Sequence, residues 1–146
     1  MPTSEKKPIN LYEEINKLNL PKDHFMIVGS GIMSLKGIRD SYDLDLVISE
    51  ELFEQLKNGP DFELRPWTRT GIGREWLKND IADLVVDMRI GDEIYDLQRL
   101  KLEGEKIDDM WFLSLKQLID FKRVYGRQKD FDDIELIERY LLNHIK

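Results

Sequence analysis

The chain has 146 residues, 41% hydrophobic and 35% charged, with 22 Lys+Arg against 29 Asp+Glu and a formal charge of −7. That length suits one domain with a core and not two, and apolar residues recurring from Ile9 to Ile145 exclude disorder as the main state. Absent cysteine excludes disulfides, thiolate nucleophiles and Cys-type zinc sites and fits a cytoplasmic protein; the acidic balance excludes a long, non-specific nucleic-acid partner.

Residues 1–8 read as a loose polar tail without the apolar stretch of a secretory leader. Residues 9–146 are expected to form a single domain, with a core at 24–112 and C-terminal helices at 114–146. No apolar run approaches the roughly 18–20 residues a membrane span needs. Ile9, Tyr12, Ile15 and Leu18 recur three apart and predict an amphipathic helix stopped by Asn19 and Pro21. His24–Val28 predicts a strand running into the turn Gly29-Ser30-Gly31, then a short helix over Ile32–Lys36 ended by Gly37. Leu44–Ile48 predicts a second strand, and Ser49 with Glu50 and Glu51 an N-cap and acidic first turn for a helix through Lys57.

Phe62–Trp67 and Arg74–Lys78 predict a hairpin around Thr70-Gly71-Ile72-Gly73. Ile81–Ile90 reads as one longer strand, Glu93–Leu100 as one or two helical turns, and Glu105–Phe112 as a short β stretch. Ser114 and Gln117 form a capping box for a helix over Leu115–Val124. Asp130 is expected to cap a last helix whose apolar face is Phe131, Ile134, Ile137, Leu141 and Ile145. This order predicts an α/β (α+β) domain: a mixed, partly antiparallel sheet with helices on one side and a C-terminal helical pair.

The informative stretch is Ile27-Val28-Gly29-Ser30-Gly31 followed by Tyr42-Asp43-Leu44-Asp45-Leu46-Val47-Ile48. Two carboxylates two residues apart in a strand leave the same face, about 7 Å apart, and are costly to bury together without a cation between them. Hard oxygen donors at that spacing suit Mg²⁺ or Mn²⁺, and can serve two ions roughly 3.5–4 Å apart. A Gly-Ser turn before a helix offers backbone N–H groups to an anion, and glycine lets a phosphate approach the main chain. Each half alone is commonplace, an ordinary turn and a solvated acid pair; their order on strand, turn, helix and strand is what makes them specific.

Val28-Gly29-Ser30, twelve intervening residues and Asp43-Leu44-Asp45-Leu46 resemble the signature of the nucleotidyltransferase superfamily with a DNA polymerase β-like fold. The resemblance implies that Gly29 and Ser30 seat a nucleoside triphosphate, and that Asp43 and Asp45 bind divalent metal. It also implies a third carboxylate on a later strand, which binds metal and helps deprotonate the attacking hydroxyl. Asp83 and Asp87 are the candidates in Ala82–Ile90. Asp87 is preferred, because Val85 and Val86 precede it and Met88 follows, while Asp83 at the strand's start reads as a solvated edge charge.

Leu113–Lys122 followed by Gly126–Ile134 is similar to the tail of small bacterial nucleotidyltransferase-like proteins, including the abortive-infection toxin type. That likeness implies a triphosphate contact for Lys122. Spacing alone puts Lys122 on the buried face of its helix, seven residues beyond Leu115, where a salt bridge to Asp133 serves equally well. Arg127, Lys129 and Asp130 can simply shape the turn between the helices.

The remaining features favour structural roles. Arg69, Arg74, Trp67 and Trp76 can line a pocket or pack across strands, and His24 and His144 lack metal-ligand spacing. The activity that the resemblance implies is metal-dependent transfer of an NMP from an NTP to a hydroxyl, with Asp43, Asp45 and Asp87 as catalytic and metal residues. The acceptor is left open among a small molecule, a tRNA end and a protein side chain, and a second copy or partner chain can complete the cleft. The alternative is a nucleotidyltransferase-like protein without turnover, binding nucleotide or serving as a toxin–antitoxin partner.

Overall fold

The computed structural model describes residues 7–67 and 74–144. Asn10 accepts a hydrogen bond from the Glu13 backbone N–H and opens α1 (Leu11–Leu18), which Asn19 closes in the left-handed conformation. A 3₁₀ turn over Lys22–His24 leads into β1 (Phe25–Val28), and the Gly29-Ser30 turn leads into α2 (Gly31–Leu35). Then follow β2 (Leu44–Ile48) and α3 (Glu50–Lys57), where the Ser49 hydroxyl accepts from Leu52 N–H as the sequence predicts.

The hairpin strands are β3 (Glu63–Trp67) and β4 (Arg74–Lys78); its predicted turn lies outside the described residues. The Asn79 side chain accepts from the backbone N–H groups of Ile81 and Ala82, turning the chain into β5 (Ala82–Val85). Where the sequence predicts one strand over Ile81–Ile90, the chain breaks at Val86. The second half, β6 (Asp87–Ile90), pairs instead with β7 (Glu93–Asp96) as a separate ribbon. Residues 93–96 are thus extended, and only α4 (Leu97–Lys101) is helical, capped by Asp96.

Residues 105–112 form two strands, β8 (Glu105–Ile107) and β9 (Met110–Phe112), around Asp108 and Asp109, both left-handed. Ser114 and Gln117 make the predicted capping box of α5 (Leu115–Tyr125), which Gly126 ends at φ +66°. The last helix, α6 (Gln128–Asn143), starts earlier than predicted, so Asp130 is not its cap. Asp130 sits one turn inside and its carboxylate accepts from the Arg127 backbone N–H.

Seven strands form one mixed sheet in the order β3-β4-β5-β2-β1-β9-β8. β1 runs antiparallel to β2 and parallel to β9, and β2 runs parallel to β5. The core centres on β1, where Met26 and Ile27 point to opposite faces and both are fully buried. On the Ile27 side, Gly31 fits because a Cβ there would lie 2.3 Å from Ile27 Cγ2. On the Met26 side, Gly104 is as tight, at 2.4 Å from Met26 Cε. The expectation of helices on one side is therefore corrected at the sheet's centre: both faces of β1 are covered, because a central strand that is apolar at every position needs two partners. No described helix is long and apolar enough to cross a membrane.

Candidate functional site

Register brings the carboxylates together. Val28 of β1 opposes Asp45 of β2, Asp45 lies beside Asp83 of β5, Asp83 opposes Lys78 of β4, and Lys78 opposes Glu63 of β3. Residues in register share a face, so this is one row across five strands, with about 4.8 Å between neighbouring strands. The alternate residues Leu44, Leu46, Ala82 and Leu84 are buried on the opposite face and anchor the strands, while Asp45, Asp83 and Lys78 of the row are half-buried.

The glycine turn meets the row at Asp45. Gly29 has φ +64°, and a Cβ there would lie 2.6 Å from Asp45 Oδ2. Any larger residue would thus meet both a left-handed backbone penalty and the carboxylate itself. Ser30 is held from the other side: its Oγ lies 2.9 Å from Ser41 Oγ, and Ser41 Oγ donates to the Ser30 carbonyl at 3.0 Å. Since Ser41 has one hydroxyl proton, the Ser30 hydroxyl is the donor between the two side chains. Ser41 is fully buried, and its carbonyl accepts from Ile9 N–H. The two motif halves are therefore tied together two residues before Asp43.

Asp43 itself precedes β2 in a bend and is exposed, so strand alternation does not fix its direction as the sequence pattern suggests. Asp87 is not in register with the row, although the strand that carries it, β6, packs against β2. Asp87 lies beyond the break at Val86, opposite Asp96 in the ribbon, with Arg89 Nε 3.2 Å from Oδ1. Register sets Asp83, which the sequence pattern ranks second, beside Asp45 on a strand interior to the sheet, while Asp87 is buried in the next strand segment. Hydrophobic flanks mark both acids alike, and only the pairing of β2 with β5 separates them.

Lys122 is buried, as its spacing predicts, and its Nζ lies 2.8 Å from Asp133 Oδ2 and 3.6 Å from Asp130 Oδ1. Asp133 also takes a two-pronged contact from Arg39, Nε to Oδ1 at 2.8 Å and Nη2 to Oδ2 at 2.9 Å. Arg127 makes the same fork on Asp130, at 2.7 and 3.1 Å. Burial by itself would raise both carboxyls, but the guanidinium and ammonium partners outweigh it. Asp133 is held below its ordinary range by Arg39 and Lys122, and Asp130 by Arg127 and Lys122. Lys122 thus acts in this structure as a core counter-ion. Arg39 and Ser41, which the sequence pattern does not single out, join the site's loop to the rest of the fold.

Among the described residues no three His, Cys, Asp or Glu side chains form a closed metal-ligand set. A pair of carboxylates on neighbouring strands fits Mg²⁺ chemistry better than a closed cage would, since that ion keeps several waters and takes one or two carboxylates plus substrate phosphates. A groove of about 490 Å³ lies on the reverse side, among Glu14, Leu44, Leu56, Asp61, Asp80 and Ala82. It is lined by the strand residues that alternate with Asp45 and Asp83, so it is separate from the row. His24 Nδ1 contacts Ser49 Oγ at 2.8 Å and His144 stacks on Tyr140, both local structural roles. Comparison of the chain with protein-family models, curated proteins and solved structures finds no match.

Proposed function

We propose that this chain is a metal-dependent nucleotidyltransferase, with Asp43, Asp45 and Asp83 as its acidic site. The observation that carries the reading is the meeting of three elements at one carboxylate: Asp45 lies against Gly29 on one side and in register with Asp83 on the other. Lack of a Cβ at Gly29 lets the Asp45 carboxylate lie against the turn, so that a phosphate held by the turn's backbone N–H groups would have its counter-ion within reach of Asp45. A divalent ion bound there, Mg²⁺ or Mn²⁺, supplies charge neutralisation of the triphosphate.

The reaction is an in-line displacement. The acceptor oxygen forms a bond to the α-phosphorus, the bridging bond to the β-phosphate breaks, and pyrophosphate leaves with that electron pair. Asp83, on the side of Asp45 away from the glycine turn, orients the acceptor hydroxyl and takes its proton. Lys122 is not assigned to the triphosphate in this reading, because its ammonium is committed to Asp133 and Asp130.

The test is thermal stabilisation of the full chain by each of the four NTPs with Mg²⁺ or Mn²⁺, followed by incubation with labelled NTP and cell extract. Stabilisation that needs both metal and nucleotide, and that is lost in Asp45→Asn with Asp83→Asn, supports the reading. Flat titrations with all four NTPs overturn it. Loss in the single variant Asp87→Asn but not in Asp83→Asn returns the third role to Asp87.

A further inference from the structure

We infer that Arg39 is a positioning residue for the segment carrying Asp43 and Asp45, and that the C-terminal helices act on the site through its bond to Asp133. The link to the site rests on the nucleotidyltransferase reading; the mechanical anchor does not. Three of the guanidinium nitrogens are committed: Nε and Nη2 grip Asp133 of α6, and Nη1 donates to the Asp40 carbonyl at 2.8 Å. Asp43 follows four residues later, and between them Ser41 is pinned to Ser30 and to Ile9. The connection from α2 to β2 is therefore held to the C-terminal helices at one point and to the glycine turn at the next.

Lys122 completes the anchor. Its Nζ lies 2.8 Å from Asp133 Oδ2, a second cation on the carboxylate whose two oxygens Arg39 already grips. A buried ion network of this kind adds little net stability compared with apolar side chains of equal volume, but it fixes direction, which a metal-binding loop requires. Lysine at position 39 would keep the charge and lose the fork.

The experiment uses the full chain with Arg39→Met, Arg39→Lys and Asp133→Asn, at a temperature where circular dichroism shows each variant folded. Hydrogen exchange is followed at the Leu44 and Asp45 amides, and Mn²⁺ affinity by electron paramagnetic resonance. Arg39→Met is expected to speed exchange at those amides about tenfold, with α3 unchanged. It should also weaken Mn²⁺ binding by at least about tenfold. Arg39→Lys should fall between it and wild type, and Arg39→Met with Asp133→Asn should be no worse than Arg39→Met alone. Unchanged exchange in folded Arg39→Met overturns the anchor whatever the metal does. Faster exchange with unaltered Mn²⁺ affinity overturns its link to the site. Wild type that binds neither Mn²⁺ nor any Mg·NTP overturns the nucleotidyltransferase reading and that link with it, while exchange still decides the anchor.

Discussion

Two clusters of acids in this protein look alike in sequence and differ in how they are held. Asp130 and Asp133 are enclosed between α5 and α6, where Lys122, Arg39 and Arg127 meet them at 2.7–3.6 Å. Asp45 and Asp83 lie side by side on neighbouring parallel strands, half-buried, with Asp43 exposed beside them. The acids of the first are buried and balanced by the protein's own cations; those of the second are half-buried or exposed. An acid's position in a motif therefore says less about its role than which elements flank it and whether solvent can enter.

The largest effect should come from breaking the buried cluster. Asp133→Ala leaves Lys122 and Arg39 without their shared carboxylate, and is expected to cost about 3–5 kcal/mol in urea unfolding. Next comes the strand cluster, where Asp45→Asn should change ligand response far more than fold. At ligand near 100 times its dissociation constant, wild type gains about 2.7 kcal/mol from Mg·NTP and the variant gains almost none, as read by thermal shift. Gly29→Ala should cost about 1–2 kcal/mol in the apo protein through its positive φ and, by pushing on Asp45, should also reduce that Mg·NTP gain.

The smallest effect concerns pH and sharpens the contrast. Asp130 and Asp133 are held below their ordinary value of 3.8, so the folded state binds their protons later than the unfolded state does. Their contribution is complete above that value and is lost as pH falls through the lower, folded value. Unfolding free energy measured from pH 5 down to 2 should therefore drop on the acid limb, and Asp133→Asn should flatten that limb. A limb unchanged in Asp133→Asn would show that other carboxyls set it.

Local features were legible in the sequence because their causes are local. Leu44–Ile48 emerges as predicted, as do the Ser49 cap, the Ser114 and Gln117 box and the Asn19 stop. What failed depended on partners distant in the chain. Val85-Val86 continues an apolar pattern, yet the strand divides there because β6 finds β7 while β5 stays with β2. For the same reason the flanks of Asp83 do not reveal that it falls in register with Asp45. Asp130 reads as a cap because aspartate suits both the cap and the third helical position, and its choice follows from the fork with Arg127. Lys122 was legible as buried and as a partner of Asp133, but not as part of a network reaching Arg39.

The pairing of β1 with β9, Met26 beside Trp111 and Ile27 beside Phe112, has a consequence for synthesis. A nascent chain that has emerged as far as Asp83 already contains every carboxylate of the row. It lacks the strand that flanks β1 on its other side, and it lacks Asp133 to grip Arg39. Closing contacts over so much intervening chain is slow, and segments wait with their apolar edges uncovered until the last helices arrive. Truncation after Phe112 would therefore leave the whole acidic row in the chain without its anchor.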